Sequence, residues 1–264
     1  MSTTLRPRRR TLALALGLAG ALAFSSSALA TFPGDNGKIA FYEPLVGGPN
    51  NIWTVNPDGT DLTQLTTDSQ RNQSPEWSPS GTKIAYHKQP PGDTTSRIWS
   101  MNADGSGQAP IGTAPGVAGF RPAWSPDGSR IVFDRLSSAT LFTMDADGTN
   151  VAPLPGPGVG LVSTPDWSPD GTKIVYGWFA AGGVDRGIAV TDVSTGNATF
   201  LKGGPDTTGF YADPEWSADG SKIFYTLDND VWSMNADGTG AVPVNGSAAT
   251  QRYPAPSPDG SKVA

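Results

Sequence analysis

Trp124-Ser125-Pro126-Asp127-Gly128-Ser129-Arg130-Ile131-Val132-Phe133 is the stretch on which the reading of this chain turns, because it recurs down the sequence. Trp77-Ser78-Pro79-Ser80-Gly81, Trp167-Ser168-Pro169-Asp170-Gly171 and Trp216-Ser217-Ala218-Asp219-Gly220 are the same unit, and Pro256-Ser257-Pro258-Asp259-Gly260 is a copy whose Trp has become Pro. A basic residue and a short apolar run follow each strong copy: Lys83-Ile84-Ala85-Tyr86, Lys173-Ile174-Val175-Tyr176, Lys222-Ile223-Phe224-Tyr225. Near the N-terminus, Asp35-Asn36-Gly37-Lys38-Ile39-Ala40-Phe41 keeps only the second half. The basic residues Lys38, Lys83, Arg130, Lys173, Lys222 and Lys262 fall 40 to 49 residues apart.

Working outward, the Pro-x-Trp segment reads as a first strand. The Ser-Pro-Asp-Gly turn ends it, with Pro setting φ at one corner and Gly taking positive φ at the other. The β-branched and aromatic run after the turn is a second strand. A third is Ile52-Trp53-Thr54-Val55-Asn56, echoed at 98–102, 141–145 and 231–235, and more weakly at 188–192. Its copies end in turns such as Ala103-Asp104-Gly105 and Ala236-Asp237-Gly238, and Asp-Gly between strand-like runs marks a hairpin. The fourth strand is short and variable, and its prolines suit an outer edge. Four strands per unit, with no helical periodicity between them, predict an all-β β-propeller. One unit cannot bury both faces of its sheet, so the units must stack around a ring, with the repeated Trp filling the wedge between neighbours. The sequence predicts six blades with an incomplete last one; the alternative is five, closed by 253–257 adding the inner strand to the N-terminal blade.

The Trp-Ser-Pro-Asp-Gly-x-Lys-Ile-Ala-Phe unit followed by Ile-Trp-x-Met-Asn-Ala-Asp-Gly resembles the Pro-Asp, WD-like repeat of the TolB propeller family. The resemblance covers residues 33–264 and is specific for fold far more than for function. It implies a binding scaffold in the periplasm or cell envelope. The α/β domain that precedes the propeller in TolB has no counterpart here.

Residues 1–30 carry Arg6, Arg8, Arg9 and Arg10, an apolar run from Leu12 to Phe24, and the small-x-small site Ala28-Leu29-Ala30. That pattern predicts a signal peptide cleaved after Ala30, no transmembrane segment thereafter, and a propeller domain over 31–264. Both Sec and twin-arginine export fit the leader. The whole chain has a formal net charge of −6, and the leader holds four arginines and no acid, so the remainder is more acidic still. A nucleic-acid partner is therefore not expected, since phosphate backbones call for a basic surface. With no cysteine, disulfides and thiol catalysis are excluded.

Candidate chemistry is sparse. His87 is the sole histidine, has no repeat equivalent, and reads as an edge residue. No Gly-x-Ser-x-Gly elbow is present. Asp145-Ala146-Asp147-Gly148-Thr149-Asn150 lacks the third acidic ligand and distal Glu of a calcium loop, and reads as a hairpin turn. More suggestive are Glu76, Asp166 and Glu215, each immediately before a repeat Trp, where Ala123 and Ala255 stand in the other units. Inner strands border the central channel, so these three carboxylates are candidates for a cation such as Ca2+, for a basic partner, or for private hydrogen bonds. Arg121 and Arg252 are alternative partners for them. Trp178, Phe179, Phe210 and Tyr211 are candidate loop contacts for a protein or sugar.

The first functional expectation is an exported, monomeric, non-enzymatic propeller that binds a protein or envelope component. The alternatives are an exported propeller enzyme of lyase or lactonase type with a metal in the channel, and the propeller portion of a larger prolyl-oligopeptidase-type protein.

Overall fold

A computed structural model of the chain describes residues 37–43, 49–113, 116–136, 138–155, 158, 160–180, 185–204, 209–244 and 252–264. The leader at 1–30 and its cleavage site lie outside those residues. Among the described residues nineteen strands form five separate antiparallel sheets, and no helix is long and apolar enough to cross a membrane.

Blade I is three-stranded: β1 (Ile39–Glu43), β2 (Asn51–Val55) and β3 (Thr63–Gln64). Blade II holds β4 (Arg71–Trp77), β5 (Lys83–Gln89), β6 (Arg97–Asn102) and β7 (Ala109–Pro110). Blade III holds β8 (Phe120–Trp124), β9 (Arg130–Asp134), β10 (Leu141–Asp145) and β11 (Ala152–Leu154). Blade IV holds β12 (Leu161–Trp167), β13 (Lys173–Phe179), β14 (Arg186–Asp192) and β15 (Ala198–Gly203). Blade V holds β16 (Tyr211–Trp216), β17 (Lys222–Leu227), β18 (Asp230–Asn235) and β19 (Val242–Pro243). Within every sheet the strands pair in chain order, as the repeat predicts.

The five sheets match the five-bladed alternative and not the six-bladed reading. The closure expected with five blades is not observed. Pro256 pairs with Val263 and Ala255 exchanges both backbone hydrogen bonds with Ala264, so this segment folds on itself as a hairpin and not onto β1.

Each repeat Trp packs where the sequence places it. Trp167 lies in one apolar cluster with Ala123, Val132, Leu141 and Leu154 of the preceding blade, and Trp216 does the same with Val175, Ile188 and Val190. Burying an aromatic ring between two sheets removes a large apolar area from water, which is what holds neighbouring blades together. Tyr86, Phe133, Tyr176 and Tyr225, at one position of successive second strands, are all fully buried.

The turns interlock as well. A side chain on Gly128 would come 3.7 Å from the Pro79 ring, and Gly171 stands in the same relation to Pro126, and Gly220 to Pro169. Each Ser-Pro-x-Gly turn thus rests on the turn of the blade before it. The series stops at Ala218, where Pro is missing and Gly260 has no neighbour within contact distance of such a side chain.

Candidate functional site at the propeller axis

Each of the four inner strands that hold a Pro-x-Trp segment carries a β-bulge at its proline. The register shifts between Gln73 and Glu76, Phe120 and Ala123, Ser163 and Asp166, and Ala212 and Glu215. At each bulge the residue preceding proline is left-handed: Ser74, Arg121, Thr164 and Asp213 have φ of 52°, 46°, 49° and 50°. Tyr253, before Pro254, follows at 58°. Left-handed backbone is unfavourable for residues with a β-carbon, so a polar column built this way is a specific feature of the fold.

These bulges converge on the axis. Arg121 of blade III lies within electrostatic range of Asp213 of blade V and of Tyr253, and Tyr253 in turn of Tyr42 in blade I. Glu215 of blade V likewise senses Glu76 of blade II and Asp166 of blade IV. Residues from blades not adjacent in sequence can interact in this way only across the centre of the ring.

The fifth residue of three of the second strands reaches into the segment that follows its blade. His87 Nδ1 accepts the backbone N–H of Arg121 at 3.3 Å, Asp134 accepts that of Thr164, and Thr226 Oγ1 accepts that of Tyr253 at 3.3 Å. Gly177 occupies this place in blade IV and offers no side chain to Asp213. Asp134 is also gripped by Arg121 through Nε at 2.7 Å and Nη2 at 2.5 Å. Burial pushes the Asp134 carboxyl up, opposed by that guanidinium.

A second set of links runs through the carboxylates singled out from the sequence. Asp166 Oδ2 accepts the backbone N–H of Trp216 at 2.8 Å, one blade on. Burial pushes Asp166 up to about 7, with the N–H groups of Trp216 and Trp167 holding it back. Glu215 is fully buried, and neither of its oxygens has a hydrogen-bond partner. The repeat explains this: the donor for Glu215 should be the N–H of the next repeat Trp, and that residue is Pro256, which has none. Burial pushes Glu215 well above the usual carboxylate range, and Asp166, Glu76 and Asp213 push the same way. Among the described residues no three His, Asp or Glu side chains are arranged to hold a metal ion.

The remaining candidates separate. Arg252 does not share the position of Arg121, which belongs to Tyr253; it is exposed and its guanidinium binds Asn229 Oδ1 through Nε at 2.7 Å and through Nη2. Trp178 and Phe179 end β13 and Tyr211 begins β16, so they are strand residues and not loop residues. Trp178 is buried and meets Phe200 edge-on at 5.1 Å, while Tyr211 stacks on Tyr225 at 6.0 Å. Phe210 lies outside a strand, and Arg186 sits 4.6 Å above its ring. In the 145–150 turn Asp147 Oδ1 accepts the N–H of Thr149 and Asp145 Oδ2 the Asn150 amide, as a hairpin turn requires.

Sequence reasoning missed Asp134, Asp213 and the latch role of His87. The signal for the axial column was present: the residue before the inner-strand proline is polar in every unit.

This architecture can be compared with known proteins. No family model matches the chain. Over 81 residues, 31% of the chain, it is 34% identical to the Tol-Pal system protein TolB of Rhizorhabdus wittichii, spanning 18% of that protein. TolB from Acinetobacter baumannii superposes with a TM-score of 0.69 at 20% identity, over 88% of this chain and 58% of that one. The fold is a TolB-like β-propeller. An oligogalacturonate lyase in complex with manganese shares the general architecture, with a TM-score of 0.54 at 17% identity over 91% of this chain and 84% of that one. The chain therefore spans under a fifth of the curated relative and just over half of the solved TolB.

Proposed function

We propose that this TolB-like propeller is an exported, monomeric, non-enzymatic scaffold of the periplasm or cell envelope that binds a protein or envelope component at its axial mouth. The observation that carries the reading is the engagement of His87. The one imidazole in the chain is buried, with Nδ1 on the Arg121 N–H and Nε2 facing Gln73 Oε1 at 3.3 Å. Burial, reinforced by Arg121, pulls its pKa down to about 3, so it is a neutral acceptor and not a general base poised near neutrality. The apolar leader and the TolB likeness support the location. The acidic balance argues against nucleic acid.

The test is photo-crosslinking from Phe210 of the exported chain in cells. Adducts with an envelope protein or polymer are expected. Absence of any adduct, together with turnover of a polysaccharide by the purified chain, would replace the reading with an enzymatic one.

One observation favours a second reading, an exported lyase- or lactonase-like enzyme with Ca2+ in the channel: the unpartnered oxygens of Glu215 lie near Asp166 and Glu76. A calcium-dependent rise in melting temperature, reversed by EDTA and absent in Glu215→Gln, would support it; an unchanged melt would reject it.

A further inference from the structure

We propose that the axial site receives a single organic cation, the ammonium or guanidinium of a basic side chain on the bound partner, with Asp213 as its direct counter-ion. The inference rests on the reading of the axial mouth as a binding surface, and names the chemistry that surface selects.

Acidic side chains outnumber basic ones at the axis. Glu76, Asp134, Asp166, Asp213 and Glu215 gather there, against the guanidinium groups of Arg121 and Arg252. Both cations are already engaged, Arg121 by the two oxygens of Asp134 and Arg252 by Asn229. Asp213 makes no hydrogen bond or ion pair among the described residues, although it is only half-buried and therefore reachable. Burial raises it to about 6, with Arg121 and Arg252 holding it back, so it is ionised above that pH and still lacks a donor. Its backbone is left-handed, like that of the other residues before the inner-strand prolines.

A second observation is independent of Asp213. Glu215, two residues on in sequence, is fully buried with both oxygens unpartnered, because Pro256 removed the N–H that a repeat Trp would supply. Buried polar atoms are nearly always satisfied, so these two acceptors stand open to a donor. Thr164 Oγ1 is a further buried atom without a partner in the column. An ammonium or guanidinium brings several donors and tolerates irregular acceptors, whereas a metal ion needs converging ligands, and no three-ligand set exists among the described residues.

The experiment is calorimetric titration of the full chain with tri-lysine, tri-glutamate as control, in parallel with Ca2+ and Mn2+. Tri-lysine is expected to bind at about pH 7.5, and to weaken toward pH 5 as Asp213 takes up its proton. Asp213→Asn should cut the affinity by about tenfold, the size of one charge-assisted hydrogen bond. Asn is well suited to left-handed backbone, so this variant keeps the fold, and an unchanged melt verifies that. Equal affinity in Asp213→Asn, or binding of a metal ion that displaces tri-lysine, overturns the inference. If tri-lysine does not bind while Phe210 still crosslinks to an envelope component, the choice of a cation is wrong and the scaffold reading stands. If both fail, both are wrong.

Discussion

His87 Nδ1 accepts the backbone N–H of Arg121 across the joint between blades II and III. The bond exists only while Nδ1 is bare, so the chain's one imidazole fastens two sheets in its neutral form.

Replacing it by Ala leaves the left-handed Arg121 N–H without its acceptor. We expect a loss of about 1–3 kcal/mol in urea unfolding, the usual cost of a stranded buried donor. His87→Asn should restore part of it. Equal stability of Ala and Asn variants would show that the ring's packing on Phe120, 5.3 Å away, and not its nitrogen, is what matters.

The same bond sets a pH dependence. The folded pKa of about 3 lies below the ordinary 6.5. The folded state resists protonation that the unfolded chain accepts, so this contribution is complete above about pH 6.5 and is lost as pH falls toward 3. Melting temperature in His87→Asn should fall less steeply over that interval than in the parent. An identical slope would exclude His87 as its source.

Asp166 acts in the opposite direction. Its folded pKa of about 7 exceeds the ordinary 3.8, so its contribution is full below about pH 3.8 and is lost as pH rises through 7. Asp166→Asn keeps an oxygen for the Trp216 N–H and removes the buried charge. It should match or exceed the parent in stability at pH 8, whereas Asp166→Ala should lose about 1–3 kcal/mol by leaving that N–H unsatisfied. A destabilised Asn variant at pH 8 would mean that the carboxylate is stabilised by a partner the folded chain supplies.

Ala218→Pro is expected to stabilise. Ser217 is already the residue that precedes proline in the other turns, the Ala218 N–H donates no backbone hydrogen bond among the described residues, and Gly260 has room for the stacking partner its counterparts have. Pre-setting φ should add about 0.4–1 kcal/mol, or a few degrees in melting temperature. A fall would show that blade V requires a different turn geometry.

Trp167→Ala should cost about 3–5 kcal/mol, because the indole fills the wedge between blades III and IV and its loss leaves a cavity there. A cost near that of an exposed residue would contradict the wedge.

The order of strands, the wedge tryptophans and the hairpin turns were legible because each is local: turn residues at fixed offsets and alternating apolar runs within a few positions. Blade number was less so, since counting second strands includes Lys262-Val263-Ala264, which among the described residues pairs with Ala255, Pro256 and Ser257. The axis was half legible. Glu76, Asp166 and Glu215 stood out as an acidic column, but the Asp166 bond to Trp216 spans 50 residues, and nothing in either local sequence announces it. His87 resembled an edge residue because its partner, Arg121, lies 34 residues on. Trp178 and Tyr211 resembled loop contacts because the long β13 and β16 extend further than the repeat suggests.

The Trp-to-Pro exchange at 256 is felt at Glu215 in the blade before it, not within its own hairpin. A blade is thus not a self-contained module. Moving one into another propeller, or averaging repeats into a consensus, separates an acceptor from the backbone that satisfies it. A piece cut from the second strand of one blade through the first strand of the next keeps the His87–Arg121 and Asp134–Thr164 joints but parts Asp166 from Trp216, so no one-blade cut keeps both halves of every joint.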